Sequence, residues 1–370
     1  TNSQAIITSY SPYRPFTSIQ ESGLYIKELE NSELTYEKKH ELNIGADMGF
    51  LNNRINLAVD WYKRNNYDLI GIVNTQGAGG QILKYANIAS MKSHGIEFTL
   101  STKNIKTKDF NWNTDFIFSN AKNEVTDLKQ NANVMELISG NGFAKQGYPV
   151  RGLFSIPFVG LDKDGIPVII NEKGEATSTD INFQERQNTG FLKYEGPTDP
   201  TITGSLGNMF SYKGFRLNLF ITYSFGNVIR LNPVFKAYYS DLTAMTREFK
   251  NRWTLPGDEA KTNVPAILSK RMYDSNEDLK YAYNAYNYST ERIAKGDFIR
   301  LKEISLAYDF PKAWINPLKL TDLSLKVQAT NLFLIYADDK LNGQDPEFFN
   351  AGGVASPVPR QFTITLRLGL

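Results

Sequence analysis

The sequence predicts an all-β fold, a transmembrane antiparallel β-barrel portion of about nine strands with long loops on one side. Three observations predict it. Apolar and polar residues alternate strictly along many segments, which is the period of a strand and not of a helix. The connections between those segments alternate between short and long, as in outer-membrane barrels. No run of 18 apolar residues is present in the 370-residue chain, so no helix is long and apolar enough to span a bilayer.

In chain order, Leu42, Ile44, Ala46 and Met48 oppose Glu41, Asn43, Gly45 and Asp47. Ile55, Leu57, Val59 and Trp61 then oppose Asn56, Ala58, Asp60 and Tyr62. Ile96, Phe98 and Leu100 mark a third strand, and Trp112, Phe116 and Phe118 a fourth. Thr201–Phe210 is a weaker fifth, interrupted by Gly204 and Gly207. Phe215, Leu217, Leu219, Ile221 and Tyr223 line one face of the sixth. Ile304, Leu306, Tyr308 and Phe310 oppose Glu303, Ser305, Ala307 and Asp309 in the seventh. Leu323, Leu325, Val327 and Ala329 oppose Ser324, Lys326, Gln328 and Thr330 in the eighth. The last alternates Phe362, Ile364, Leu366, Leu368 and Leu370 with Gln361, Thr363, Thr365, Arg367 and Gly369.

Many of these segments reach the roughly 9–11 residues that a tilted strand needs to cross a bilayer. Short connections lie at Leu51–Arg54, Ile105–Asp109, Tyr212–Gly214 and Pro311–Leu320. Long ones lie at about 67–93, 125–199, 226–296 and 336–359. A charge on a lipid-facing position costs about 2–4 kcal/mol at the midplane, and the apolar faces carry none through their centres. Arg300 and Lys302 share a face with Ile304 but fall toward the long-loop end, where they are expected to stand above the bilayer. Trp61, Trp112, Tyr223 and Tyr308 fall near strand ends, as interfacial aromatic girdles do. A soluble β-sandwich also alternates, but with shorter strands and without the regular change in loop length.

Composition narrows the function classes. Lys and Arg number 41 against 39 Asp and Glu, so there is no basic stripe for nucleic acid. There is no cysteine, which removes disulfides, thiolate metal sites and thiol nucleophiles. His40 and His94 stand apart and in no metal-binding pattern. The mean hydropathy of -0.37 resembles that of a soluble protein because a barrel strand is apolar on one face only. No G-x-S-x-G nucleophile elbow occurs and no carboxylate pair is singled out by spacing, so no catalytic residue and no cofactor is expected.

Several stretches resemble one family. They are E-L-T-Y-E-K-K-H-E-L-N-I-G at 33–45, F-L-N-N-R-I-N-L-A-V-D-W-Y at 50–62, N-I-A-S-M-K-S-H-G-I-E-F at 87–98 and W-N-T-D-F-I-F-S-N-A-K-N at 112–123. F-V-G-L-D-K-D-G-I-P at 158–167, R-W-T-L-P-G at 252–257, G-D-F-I-R-L-K-E-I-S-L-A-Y at 296–308, A-T-N-L-F at 329–333 and G-Q-D-P-E at 343–347 follow in order. Each is weak alone; together they are similar to the SusC/RagA family of TonB-dependent outer-membrane transporters.

The resemblance implies the C-terminal part of a 22-stranded plugged barrel in the Gram-negative outer membrane, a size class known for such transporters. It implies active import of glycan or peptide fragments, driven through a TonB complex and capped by a SusD-like surface lipoprotein. A passive porin and a surface-interaction or secretion-associated barrel remain alternatives. Nine strands leave two open edges, which lipid does not tolerate. The expectation is that an N-terminal barrel and plug portion, on a separate or cleaved chain, supplies the rest. Residues 1–36 are then an extracellular loop segment and 37–370 the barrel part. Lipid and lipopolysaccharide are the surroundings expected for it.

The segment Asp274–Thr290 carries Tyr281, Tyr283, Tyr286 and Tyr288, with Asn284 and Asn287 between them. Phenol rings with amide partners suit contact with sugar or peptide, or with a lid protein; packing within the loop is the alternative. D-K-D-G at 162–165 resembles the opening of a calcium loop but lacks the later ligands, so it is expected to be a plain turn. Q-G-A-G-G at 76–80 matches no phosphate-binding pattern and is expected to be a loop tip. Asp338, Asp339, Asp345 and Glu347 form an acidic cluster, read either as a solvated loop or as a place for divalent or lipopolysaccharide-bound cations.

Overall fold

The computed structural model describes residues 7–11, 23–28, 31–75, 83–239, 246–276, 278–349 and 359–370. Its main element is a nine-stranded antiparallel sheet. The strands are β1 (Lys38–Phe50), β2 (Ile55–Asn74), β3 (Leu83–Lys106), β4 (Phe110–Leu128), β5 (Ile202–Tyr212), β6 (Phe215–Phe225), β7 (Phe298–Asp309), β8 (Asp322–Ala337) and β9 (Gln361–Gly369). Each pairs with its neighbours in sequence, from β1 at one edge to β9 at the other.

The register sorts the side chains into rows. Directly paired residues point to the same side of a sheet. Ile105, Trp112, Phe210, Leu217, Leu306, Val327 and Ile364 are successive partners across seven strands, so one side carries an unbroken apolar row. Gly45, Asp60, Glu97, Ser119, Thr203 and Ser224 are successive partners on the other side. Among the described residues nothing covers the apolar side: Phe362 and Ile364 are 70% and 73% exposed. A face like this is suited to lipid and not to water. Rings gather at the short-turn end of this side, where Phe215, Tyr308, Phe310 and Trp314 touch in sequence.

The weak fifth segment pairs along its full length on both sides. Gly204 is required there. A Cβ at Gly204 would stand 2.1 Å from the Ile117 carbonyl oxygen and 2.3 Å from the Tyr223 hydroxyl. The Tyr223 phenol instead passes over the glycine and donates a 2.8 Å hydrogen bond to Ile117 O. The glycine that interrupts the pattern thus marks a close approach within a continuous strand.

The short connections behave as expected. Leu51, Asn52 and Asn53 turn with φ of 53°, 56° and 59°, and Arg54 N–H closes onto Phe50 O at 3.0 Å. Lys213 and Gly214, with φ of 44° and 92°, make the two-residue hairpin between β5 and β6. Positive φ at both positions is what the right-handed strand twist demands of such a turn.

Two expectations need correction. The connection expected at 67–93 is mostly paired backbone: β2 runs to Asn74 and β3 starts at Leu83. Register shifts at Asn66/Leu69 and Leu69/Ile70, with Asp68 at φ 57°, break the alternation that marks a strand in the sequence. The tip Q-G-A-G-G at 76–80 lies outside the described residues. Arg300, for its part, does not stand free on the apolar side. A bulge between Leu301 and Glu303 moves it opposite Thr222, itself opposite Ser205, on the polar side. There it is buried.

The long connections are not open loops. Between β4 and β5 lie a helix, α1 (Val134–Ile138), and short strands at Gly152–Ser155, Phe158–Leu161, Pro167–Ile170, Ala176–Thr177 and Lys193–Pro197. Between β6 and β7, Val228–Arg230 pairs with Ile293–Lys295, and helices α2 (Lys270–Ser275) and α3 (Leu279–Asn287) follow one another. The described buried core clusters fall in these connections. One gathers Ile166, Phe235, Phe249, Leu268, Leu279 and Tyr283; the next Val134, Leu137, Ile138, Phe154, Ile156 and Ala285; a third joins Ile229, Leu231 and Ala294 to Leu341 beyond β8. Before β1, Ile7–Ser11 pairs with Gly23–Glu28.

Candidate functional site

Helix α3 positions the tyrosines picked out by the sequence, and it divides them. Leu279, Ala282, Tyr283 and Tyr286 fall at helical spacing on one face and are buried. Tyr283 and Tyr286 are 2% exposed each. Tyr283 Oη donates a 2.6 Å hydrogen bond to Ala266 O, and Tyr286 meets Phe158 and Phe235 edge-on. Burial pushes both phenols well above the ordinary tyrosine range. For these two the surroundings support loop packing: both are buried, and Tyr283 reaches the neighbouring cavity only at its margin.

The other three share the opposite face. Tyr281, Asn284 and Tyr288 stand at i, i+3 and i+7 and line an open cavity of about 640 Å³. Its far wall is the segment 233–238 with Tyr273 from α2. Tyr238 and Tyr273 stack with ring centroids 6.2 Å apart at 23°. Lys280 Nζ lies 5.3 Å from the Tyr281 ring centroid. Asn287 is turned inward, where its amide accepts from Phe235 N and donates to Phe235 O at 3.1 and 2.8 Å, fixing the far wall to the helix.

Three buried arginines tie the connections together. Arg230 donates to Ser289 O at 2.9 Å, Phe154 O at 2.6 Å and Ser155 Oγ at 3.1 Å, so it joins the β4–β5 connection to the end of α3. Burial draws its guanidinium down to about 9, opposed by the nearby Glu195 carboxylate. It remains a cation at neutral pH. Arg292 pairs with Glu248, donates to Asn232 O and lies over the Phe235 ring. Arg300 holds Asp345 and also Glu347. No sequence pattern marks these arginines, because each partner comes from a distant connection.

The remaining candidates resolve into ordinary chemistry. Asp162 Oδ1 accepts from Asp164 N and Ile166 N, both at 2.9 Å, which makes D-K-D-G a side-chain-closed turn. Asp338 accepts from Lys295 N and caps the turn at Lys340, while Asp345 is committed to Arg300. Among the described residues no group of three or more metal-ligating side chains converges. In R-W-T-L-P-G, Trp253 Nε1 donates to Glu259, and Asp258 accepts from Thr254 and Leu255 backbone N–H. These bonds hold the Asp258 carboxyl down to about 2.

Lys236, Tyr238, Tyr273 and Lys280 belong to the cavity and were not singled out from sequence. The one available signal was the helical spacing of Leu279, Ala282, Tyr283 and Tyr286, which separates the buried face of α3 from its open one.

No family model matches the chain. The chain is similar to the TonB-dependent receptor P3 of Formosa agariphila, 25% identical over 368 residues, covering 92% of this chain and 34% of that protein. It is similar to the TonB-dependent receptor SusC of Bacteroides thetaiotaomicron, 26% identical over 364 residues, covering 92% of this chain and 32% of that one. Among solved structures, the RagAB peptide transporter superposes with a TM-score of 0.75 at 23% identity, covering 99% of this chain and 38% of its counterpart. The chain therefore spans about a third of the length of the curated relatives it matches.

Proposed function

We propose that the chain, which is similar to TonB-dependent receptors and shares the fold of the RagAB transporter, is a member of the SusC/RagA family and forms part of the wall and the extracellular cap of an importer of oligomeric nutrients. The observation that carries this reading is the separation of two surfaces. An unbroken apolar row suits the sheet to lipid, while the packed core and the aromatic cavity belong to the connections on one side. A wall that only enclosed a pore would have no need of a buried core there.

In this reading the long connections and residues 1–36 are extracellular, and 37–370 is the C-terminal part of the barrel. The open edges of β1 and β9 pair with strands of the same transporter's N-terminal portion, because unpaired backbone in lipid costs several kcal/mol per group. That portion also brings the plug and the contact with TonB. A SusD-like lipoprotein covers the cap, and the cargo is a glycan or peptide fragment. Chemistry on that cargo is no part of the proposal.

The test is uptake. A strain carrying the full-length transporter is expected to grow on an oligomeric nutrient, and to lose that growth when the transporter or the inner-membrane energy supply is removed, while still growing on the monomer. Oligomer uptake that continues without the energised inner membrane would favour the passive porin and refute active import.

A further inference from the structure

We infer that the cavity between α3 and the segment 233–238 takes an anionic, carboxylate-bearing oligomer; this rests on the import reading and narrows its substrate class. Charge carries the inference. Lys236 and Lys280 both line the cavity, and among the described residues no carboxylate does. Lys280 is not free to swing away without loss, since its ammonium sits against the face of Tyr281. A ligand that covers two ammonium groups without a counter-charge leaves them desolvated and unpaired, which is costly; a carboxylate converts the same burial into charge-assisted hydrogen bonds.

The rest of the lining suits a chain of rings or planar groups. Tyr238 and Tyr273 form one stacked aromatic surface, and Tyr281 on α3 and Tyr288 just beyond its end line the cavity separately. Among the described residues the Asn284 amide and these four phenol hydroxyls make no hydrogen bond to the protein, unlike Tyr283 and Asn287 behind them. The volume lies within the range of sites that enclose a sizeable ligand. A uronic-acid oligosaccharide and an acidic peptide both present carboxylates beside flat or ring-shaped groups.

The experiment is calorimetric titration of the full-length transporter in detergent with three probes: oligogalacturonate, an uncharged oligoglucan of the same length, and a glutamate-rich peptide. At least one anionic probe is expected to bind about tenfold or more tighter than the oligoglucan, with affinity falling as salt is raised. Which anionic probe binds identifies the source of the carboxylate. Lys280→Gln and Lys236→Gln, both at exposed positions, are each expected to weaken that probe about tenfold and to close the gap to the oligoglucan. Equal binding of charged and uncharged probes, or lysine variants that bind like the wild type, would overturn the inference while leaving import intact. A transporter that binds and imports no oligomer would instead remove the import reading. Loss of a co-purifying surface lipoprotein in the lysine variants, with ligand binding unchanged, would make the cavity a protein contact and also overturn the inference.

Discussion

Arg300 grips Asp345 through one terminal nitrogen, at 2.5 and 2.6 Å from the two carboxylate oxygens, and their side chains are only 5% and 9% exposed. The pair joins strand β7 to the connection that follows β8, and Glu347 adds a second contact at 3.2 Å. Breaking one side of a buried pair strands the other charge, at a cost of about 3–5 kcal/mol. Asp345→Asn is expected to loosen residues 338–349, seen as faster amide exchange there, with little change in β7. Arg300→Met with Asp345→Leu should recover much of the protection, because no buried charge is left unpaired and the exposed Glu347 stays hydrated.

The two faces of α3 predict opposite phenotypes. Tyr283→Phe removes one buried hydrogen bond and is expected to cost about 1 kcal/mol, and Tyr283→Ala about 3–5 kcal/mol, read as lower thermal stability of the cap. Tyr281→Ala is expected to leave that stability within about 0.5 kcal/mol. A destabilised Tyr281→Ala cap would show that the open face of α3 is part of the core.

Arg230 bonds three acceptors from two connections. Arg230→Met should separate the β4–β5 connection from the end of α3 and raise protease sensitivity near Ser289. Arg230→Lys is not expected to rescue it, because a single ammonium cannot reproduce the planar fork.

The Asp258 turn carries a pH signature. Its carboxyl is held at about 2, below the ordinary aspartate value of 3.8. A depressed folded-state value contributes stability that is present above the unfolded value and lost as pH falls through the folded one. The turn at Thr254–Lys261 should therefore keep its amide protection at pH 4 and above, and lose it between about pH 3.8 and 2. In Asp258→Asn that acid-dependent step should vanish.

Val327 and Gln328 are neighbours on opposite sides of β8. Val327→Arg places a charge in the apolar row and is expected to cost about 2–4 kcal/mol, less if its level lies away from the midplane. The readout is the yield of heat-resistant barrel from the full-length transporter. Gln328→Arg should assemble normally; equal yields from both variants would contradict the assignment of sides.

The barrel wall was legible because lipid reads one side chain in two. Every strand of the sheet was found from alternation, and even Thr201–Phe210, with Gly204 breaking its pattern, proved continuous. Legibility failed at bulges. The shifts at Asn66/Leu69 hid the ends of β2 and β3, and the bulge at Leu301/Glu303 carried Arg300 to the other side. The cap was the least legible part. Its elements are short, its core residues come from segments as distant as Ile166 and Tyr283, and its ion pairs join connections that no local pattern relates. Composition directed attention to the tyrosines of α3 but could not say that Tyr283 turns inward and Tyr281 outward.

The placement of the packed core has a consequence for which substitutions the protein can tolerate. In most proteins the framework is intolerant and the loops accept change. Here the wall needs only apolar groups toward lipid, so Val327 or Ile364 can give way to another aliphatic residue with little cost. The connections hold Leu137, Ile156, Phe249 and Tyr283 in closed surroundings, where a shortened side chain leaves a void. Divergence among such chains should therefore run through the exposed lining of the cavity and along the membrane wall, and spare the interior of the cap.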